Sequence, residues 1–207
     1  MNMPETNVVG ASLLSLLPGI DAAAREAIQL AVLMAQRVAE SDHREGLVQD
    51  WFSHYRRQLQ FYGWDALTAE QRYRPDPQRR GAVERSLHIV QQVAGERHAR
   101  SLQASLQALA ENGSALWQMQ QRSRQMNLFQ LLPCAPREDG NLDIVLYHEV
   151  GELALFGFDF PVRIDEASRV RAELVRFNPR LFQRTHADKV RQALGRILHE
   201  EIIALPI

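Results

Sequence analysis

His148, Glu149 and Glu152 form a His-Glu-x-x-Glu string, and imidazole and carboxylate groups at such spacing are what a zinc-dependent hydrolase uses. That chemistry needs two histidines one helical turn apart, so that both hold one ion from one side, and Glu152 supplies no second imidazole. The string also spans a strand end and Gly151, which sends neighbouring side chains to opposite faces. A solvated strand end is the favoured reading, with His148 retained as a reactive candidate; His199 and Glu200 fail the same test. Cys134 is the single cysteine, set between Pro133 and Pro136 in an apolar segment. As a nucleophile it would need a lowered pKa, which spacing does not reveal, and a buried inert thiol is the commoner case. Acylation of Cys134 as a tether has no flanking amphipathic or polybasic segment to support it.

Other constellations are weaker. No Gly-x-Ser-x-Gly elbow and no glycine-rich phosphate loop occurs, so nucleophilic serine chemistry and nucleotide binding have no motif to rest on. Asp165 with Glu166, and Glu200 with Glu201, are sequence neighbours pointing apart. Glu201 falls on an apolar helical stripe and calls for a basic partner, for which Arg169, Arg171 and Arg176 are the natural choices. No cofactor and no metal are implied.

The densest feature is aromatic: Trp51, Phe52, Tyr55, Phe61, Tyr62 and Trp64, interleaved with His54, Arg56 and Arg57. Trp51, Phe52, Tyr55, Tyr62 and Trp64 are the candidate interface residues, able to form a stacking platform or an interfacial anchor. The alternative is that the i, i+4, i+8 spacing of Trp51, Tyr55 and Leu59 fills a core seam while the arginines face water.

The elements that must position these residues follow from periodicity. With 207 residues, 45% apolar content and a net charge of −1, the chain is long enough for a full core and lacks the cationic excess of a generic nucleic-acid binder. Val8 to Leu17 is apolar but short and has no preceding Lys or Arg, unlike a signal peptide. Ala22 to Ala39 follows an Asp21 N-cap as a largely apolar helix, interrupted by Arg25, Glu26, Gln29, Gln36 and Arg37, which would be costly in a bilayer. An aromatic helix runs from Trp51 to Gly63, an arginine-rich loop from Thr68 to Gly81, and one or two helices from Ala82 to Asn112, with Gly95 either inside or between them. Beyond Gly113 the period changes to two: strands over 126–132, 142–147, 155–160 and 170–174, the first pair joined by an Asp-Gly turn at 138–141. Thr185 and Asp188 suggest a capping box opening one long C-terminal helix.

The expected fold is α+β: a helical N-terminal half (1–113) packed on a four-stranded antiparallel meander with one wet face and a long C-terminal helix (114–207), together one compact unit. Glu138 to Phe160 is acidic while Trp51 to Arg100 is arginine-rich, and two such patches can meet within one molecule or between copies. The expected function is a non-enzymatic protein-interaction or assembly protein, binding copies of itself or a protein partner. A membrane-active or virulence-associated protein and an unrecognised hydrolase or transferase using His148 or Cys134 are the alternatives. The lone cysteine fits a reducing, cytoplasmic setting.

Overall fold

The computed structural model describes residues 5–73, 81–151 and 170–205. In chain order the elements are β1 (Glu5–Val9), β2 (Ser12–Leu16), α1 (Ala22–Arg44), α2 (Trp51–Phe61), β3 (Trp64–Ala66), β4 (Gln71–Tyr73), α3 (Ala82–Ala94), α4 (Glu96–Glu111), α5 (Gly113–Met126), β5 (Leu128–Pro136), β6 (Leu142–Val150), β7 (Val170–Phe177), α6 (Pro179–Thr185), α7 (Ala187–Leu194), α8 (Ile197–Glu201) and β8 (Ile202–Leu205).

The strands form one eight-stranded sheet in the order β3-β7-β6-β5-β2-β1-β8, with β4 also pairing β7. All pairings are antiparallel except β2 with β5, which is parallel. Helices α1, α2, α6 and α7 cover one face over a core that includes Leu14, Ile28, Phe52 and Phe182; α3, α4 and α5 cover the other over Leu13, Val90, Leu102 and Tyr147. No helix among the described residues is long and apolar enough to cross a membrane.

This corrects the expected four-stranded meander beneath a helical half. Four strands come from the first 73 residues, and both faces of the sheet are covered. The alternation in β7 suggested a wet face, yet Arg171 and Glu173 are buried because α2 lies over them and supplies counter-charges. The apolar segment 8–17, which lies in the half expected to be helical, is a β1–β2 hairpin whose two-residue turn places Gly10 at φ +57°. A short apolar run does not separate strand from helix by periodicity, and the left-handed turn decides it.

The C-terminal helix is also corrected. Gly195, at φ +50°, ends α7, and after the short α8 the chain becomes β8, pairing antiparallel with β1. Thr185 caps nothing: its hydroxyl donates to the Leu181 carbonyl at 2.7 Å, while His186 takes the N-cap position of α7 without a side-chain bond. Gly95 separates α3 from α4. Asn112 closes α4 and at once caps α5, accepting from the Ala115 amide at 3.1 Å, so the stop expected at this point is also the start of a helix that the sequence does not announce. The strands over 128–136, 142–150 and 170–177 overlap those expected at 126–132, 142–147 and 170–174, and the turn between the first two is present, but Met126 belongs to α5 and β5 runs on through Pro133 to Pro136. The expected strand at 155–160 lies outside the described residues.

Candidate functional site

The sheet register lines up four polar side chains across the middle of the α1–α2 face. Ser12 of β2 is opposite Gln130 of β5, Gln130 is opposite His148 of β6, and His148 is opposite Arg171 of β7. Residues two apart on a strand share a face, so Leu14, Leu132, Leu146 and Glu173 form the next row. All four members of the polar row are buried.

Each is met by a helix. Gln36, a polar residue on the buried side of α1, donates through Nε2 to Ser12 Oγ at 2.5 Å, and Ser12 donates to Gln130 Oε1 at 2.8 Å. The Gln36 Oε1 atom accepts from the Ala11 amide at 3.4 Å, tying α1 to the β1–β2 turn. Gly10 suits this turn because its φ is positive, and a Cβ there would come within 2.3 Å of Gln36 Oε1, so that the amide would have to swing away from Ala11. At the other end, the first turn of α2 closes over His148 and Arg171. The imidazole stacks on Phe52 at 4.3 Å and on Trp51 at 5.8 Å, and the Arg171 guanidinium lies over the Phe52 ring at 5.2 Å. Asp50, the N-cap of α2, binds Ser53 and Arg171, the latter at 3.0 Å.

Burial sets the protonation states. His148 is 2% exposed, and desolvation, with the adjacent Arg171 charge, lowers its pKa to about 3. It is therefore neutral at pH 7, with Nδ1 lacking a hydrogen-bond partner. Burial alone would raise the Asp50 pKa, but bonds from Ser53 and Arg171 outweigh it and bring the carboxyl to about 2. In the next row Glu173 is paired with Arg56, which also reaches Glu70 at 3.2 Å; burial nevertheless pushes the Glu173 pKa up.

Cys134 is fully buried, donates to the Leu132 carbonyl at 3.1 Å, and burial drives its thiol well above the ordinary range. It lies opposite Ile144, four residues along β6 from His148, or about 13 Å at the strand rise, so the two do not form a dyad. Glu149 points to the opposite face, where it pairs with Arg85 and accepts from the Tyr147 hydroxyl; Glu152, Asp165 and Glu166 lie outside the described residues. His199 and Glu200 are exposed. Glu201 pairs with Arg122 of α5 (Nε to Oε2, 3.0 Å). Of the partners expected for it, Arg171 is held by Asp50 and Arg176 by Asp143, and Arg169 is outside the described residues.

Among the aromatic candidates, Trp51, Phe52, Tyr55, Tyr62 and Trp64 are buried, whereas Phe61 is 65% exposed. Trp51 and Tyr55 stack at 4.9 Å. Trp64 Nε1 has no hydrogen-bond partner and borders a void of about 10 Å³ lined also by Arg56, Gln60 and Glu173, space for one water. Open grooves of about 580 Å³ (beside Leu17, Arg97 and Arg100) and 380 Å³ (beside His88 and Gln103) run along α4, and neither touches His148 or Cys134. Among the described residues no His, Cys, Asp and Glu side chains group so as to hold a metal ion.

The acidic and basic segments meet inside the molecule through Arg85 and Glu149, and Asp143 is held by Arg137 and Arg176. Ser12, Gln36, Gln130, Arg171 and Asp50 are site residues that the sequence does not mark: Ser12, Gln36 and Gln130 are polar residues among apolar neighbours, and Arg171 and Asp50 have charged or polar neighbours of their own. No known protein family, no characterised protein and no solved structure matches this chain.

Proposed function

We propose that this chain is a non-enzymatic interaction or assembly protein that recognises its partner, a second copy of itself in the first instance, through its outer surface. One contrast supports the reading: the side chains able to do chemistry, His148 and Cys134, are sealed beneath α1 and α2, while large apolar side chains stand outside, Phe61 at 65% and Trp117 at 63% exposure. A buried neutral imidazole and a protonated thiol about 13 Å apart have no route to substrate. Exposed aromatic side chains are what recognition surfaces use.

Light scattering across protein concentration and ionic strength tests the proposal. Association driven by the exposed apolar side chains should persist as salt is raised, whereas association through surface charges should weaken. A chain that remains monomeric under all conditions and captures no protein partner overturns it.

A further inference from the structure

The two edges of the sheet are built differently. At one, β3 and β4 share β7 as two three-residue pieces, and they carry Asp65 and Arg72. Short, interrupted and charged edges resist pairing with other chains. At the opposite edge β8 reads Ile202-Ile203-Ala204-Leu205, with no charge; it pairs β1 on one side and no described strand on the other. Ile202 and Ile203 are half-buried and Ala204 is exposed.

Next to this edge is the second element of the surface. Helix α5 is fastened to the start of β8 from two positions: Gln118 donates to the Glu200 carbonyl at 2.8 Å and Arg122 pairs with Glu201. Trp117, one residue before Gln118, is 63% exposed. An exposed tryptophan on the helix fastened to this strand is the residue type that most often anchors an interface.

The geometry points to β8 as a self-pairing edge: two copies of this chain join their sheets by antiparallel β8–β8 pairing, with Trp117 packing at the rim. This rests on the assembly reading above and names its surface. An antiparallel pair of identical strands is its own two-fold partner and closes as a dimer. With Ile203 of each copy opposite its counterpart and Ile202 opposite Ala204, the two Glu201 carboxylates lie four residues apart along the ladder, about 13 Å at the strand rise. That exceeds the screening length of about 8 Å at physiological salt. Each Glu201 also has its own Arg122, so the antiparallel arrangement brings no like charges together. Four residues and one indole fall short of the roughly 1,000 Å² that marks a durable interface, so the dimer is weak and concentration-dependent.

Sedimentation velocity on the full chain tests this with three variants. Ala204→Lys places a charge on an exposed edge position, Trp117→Ala removes the rim aromatic, and Phe61→Lys alters the exposed apolar residue at the end of α2. Each should keep the wild-type circular dichroism spectrum. The expected result is wild-type self-association weakened about tenfold or more by Ala204→Lys, weakened less by Trp117→Ala, and unchanged by Phe61→Lys. Self-association indifferent to Ala204→Lys, or abolished by Phe61→Lys, overturns the β8 edge and leaves the assembly reading standing. A wild-type chain that is monomeric at every concentration overturns the self-association reading together with the edge.

Discussion

His148 and Arg171 face each other across β6 and β7, and one ring covers both: Phe52 stacks on the imidazole at 4.3 Å and lies under the guanidinium at 5.2 Å. The first turn of α2 therefore closes over a neutral histidine and a charged arginine together. Asp50, at the cap of the same turn, and Glu70, at 3.5 Å, both pair with the arginine, and burial keeps the neighbouring imidazole neutral.

The stability of the fold should consequently depend on acid in a defined window. In the unfolded chain His148 takes up a proton near pH 6.5, whereas in the folded chain burial delays that to about pH 3. Between these values the unfolded state binds the extra proton, so stability falls as pH falls, by about 1.4 kcal/mol per pH unit from this group. His98 is shifted in the same direction by burial and adds to the slope. Chemical denaturation between pH 7 and 4 should show the loss, and His148→Leu should reduce the slope by about one proton. An unchanged slope in that variant would remove His148 from the account.

Gly10 and Gln36 give a test of the other end of the polar row. Gly10→Ala forces a side chain onto a positive φ and against the Gln36 amide, which should cost about 2 kcal/mol or more. Gln36→Leu removes the donor to Ser12 and the acceptor for Ala11, for a cost of about 1–3 kcal/mol. The two sites share one contact, so their double mutant should cost less than the sum of the singles. Urea unfolding of all three chains measures this.

On the opposite face, Arg85 and Glu149 form a buried pair under α3, with the Tyr147 hydroxyl on the same carboxylate. Arg85→Met leaves that carboxylate and phenol without their cation, and a loss of about 3–5 kcal/mol is expected. Arg85→Met with Glu149→Gln should recover part of it. A single variant as stable as the wild type in thermal unfolding would contradict the pairing.

Cys134 should be silent toward thiol reagents in the native chain and react at the rate of global unfolding. The cause is its full burial and the raised thiol pKa that burial produces, since the thiolate is the reacting species. Following an aromatic disulfide reagent with and without urea distinguishes this from a reactive native cysteine, which would label at once.

Much of the second half was legible in the sequence because its signals are local. The Asp-Gly turn and the period-two runs of β5, β6 and β7 each depend on a few adjacent residues, as does the Asp21 cap of α1 in the first half. What was hidden depends on distant partners. The alternation of β7 looks the same whether Arg171 and Glu173 face water or the Asp50 and Arg56 side chains of α2. Likewise β8 is a strand because β1 lies alongside it, and the sequence Ile-Ile-Ala-Leu continues a helical apolar stripe equally well. The polar row was out of reach for the same reason: Ser12, Gln130, His148 and Arg171 come from four strands, and no sequence spacing relates them.

Hydrogen exchange at low and high protein concentration tests the central claim most directly, because an unpaired edge and a paired one differ in their backbone amides. Protection that rises with concentration in residues 202–205 and around Trp117, and stays constant elsewhere, is the predicted result. Exchange in β8 that is the same at both concentrations, with or without protection appearing at Phe61, would contradict it.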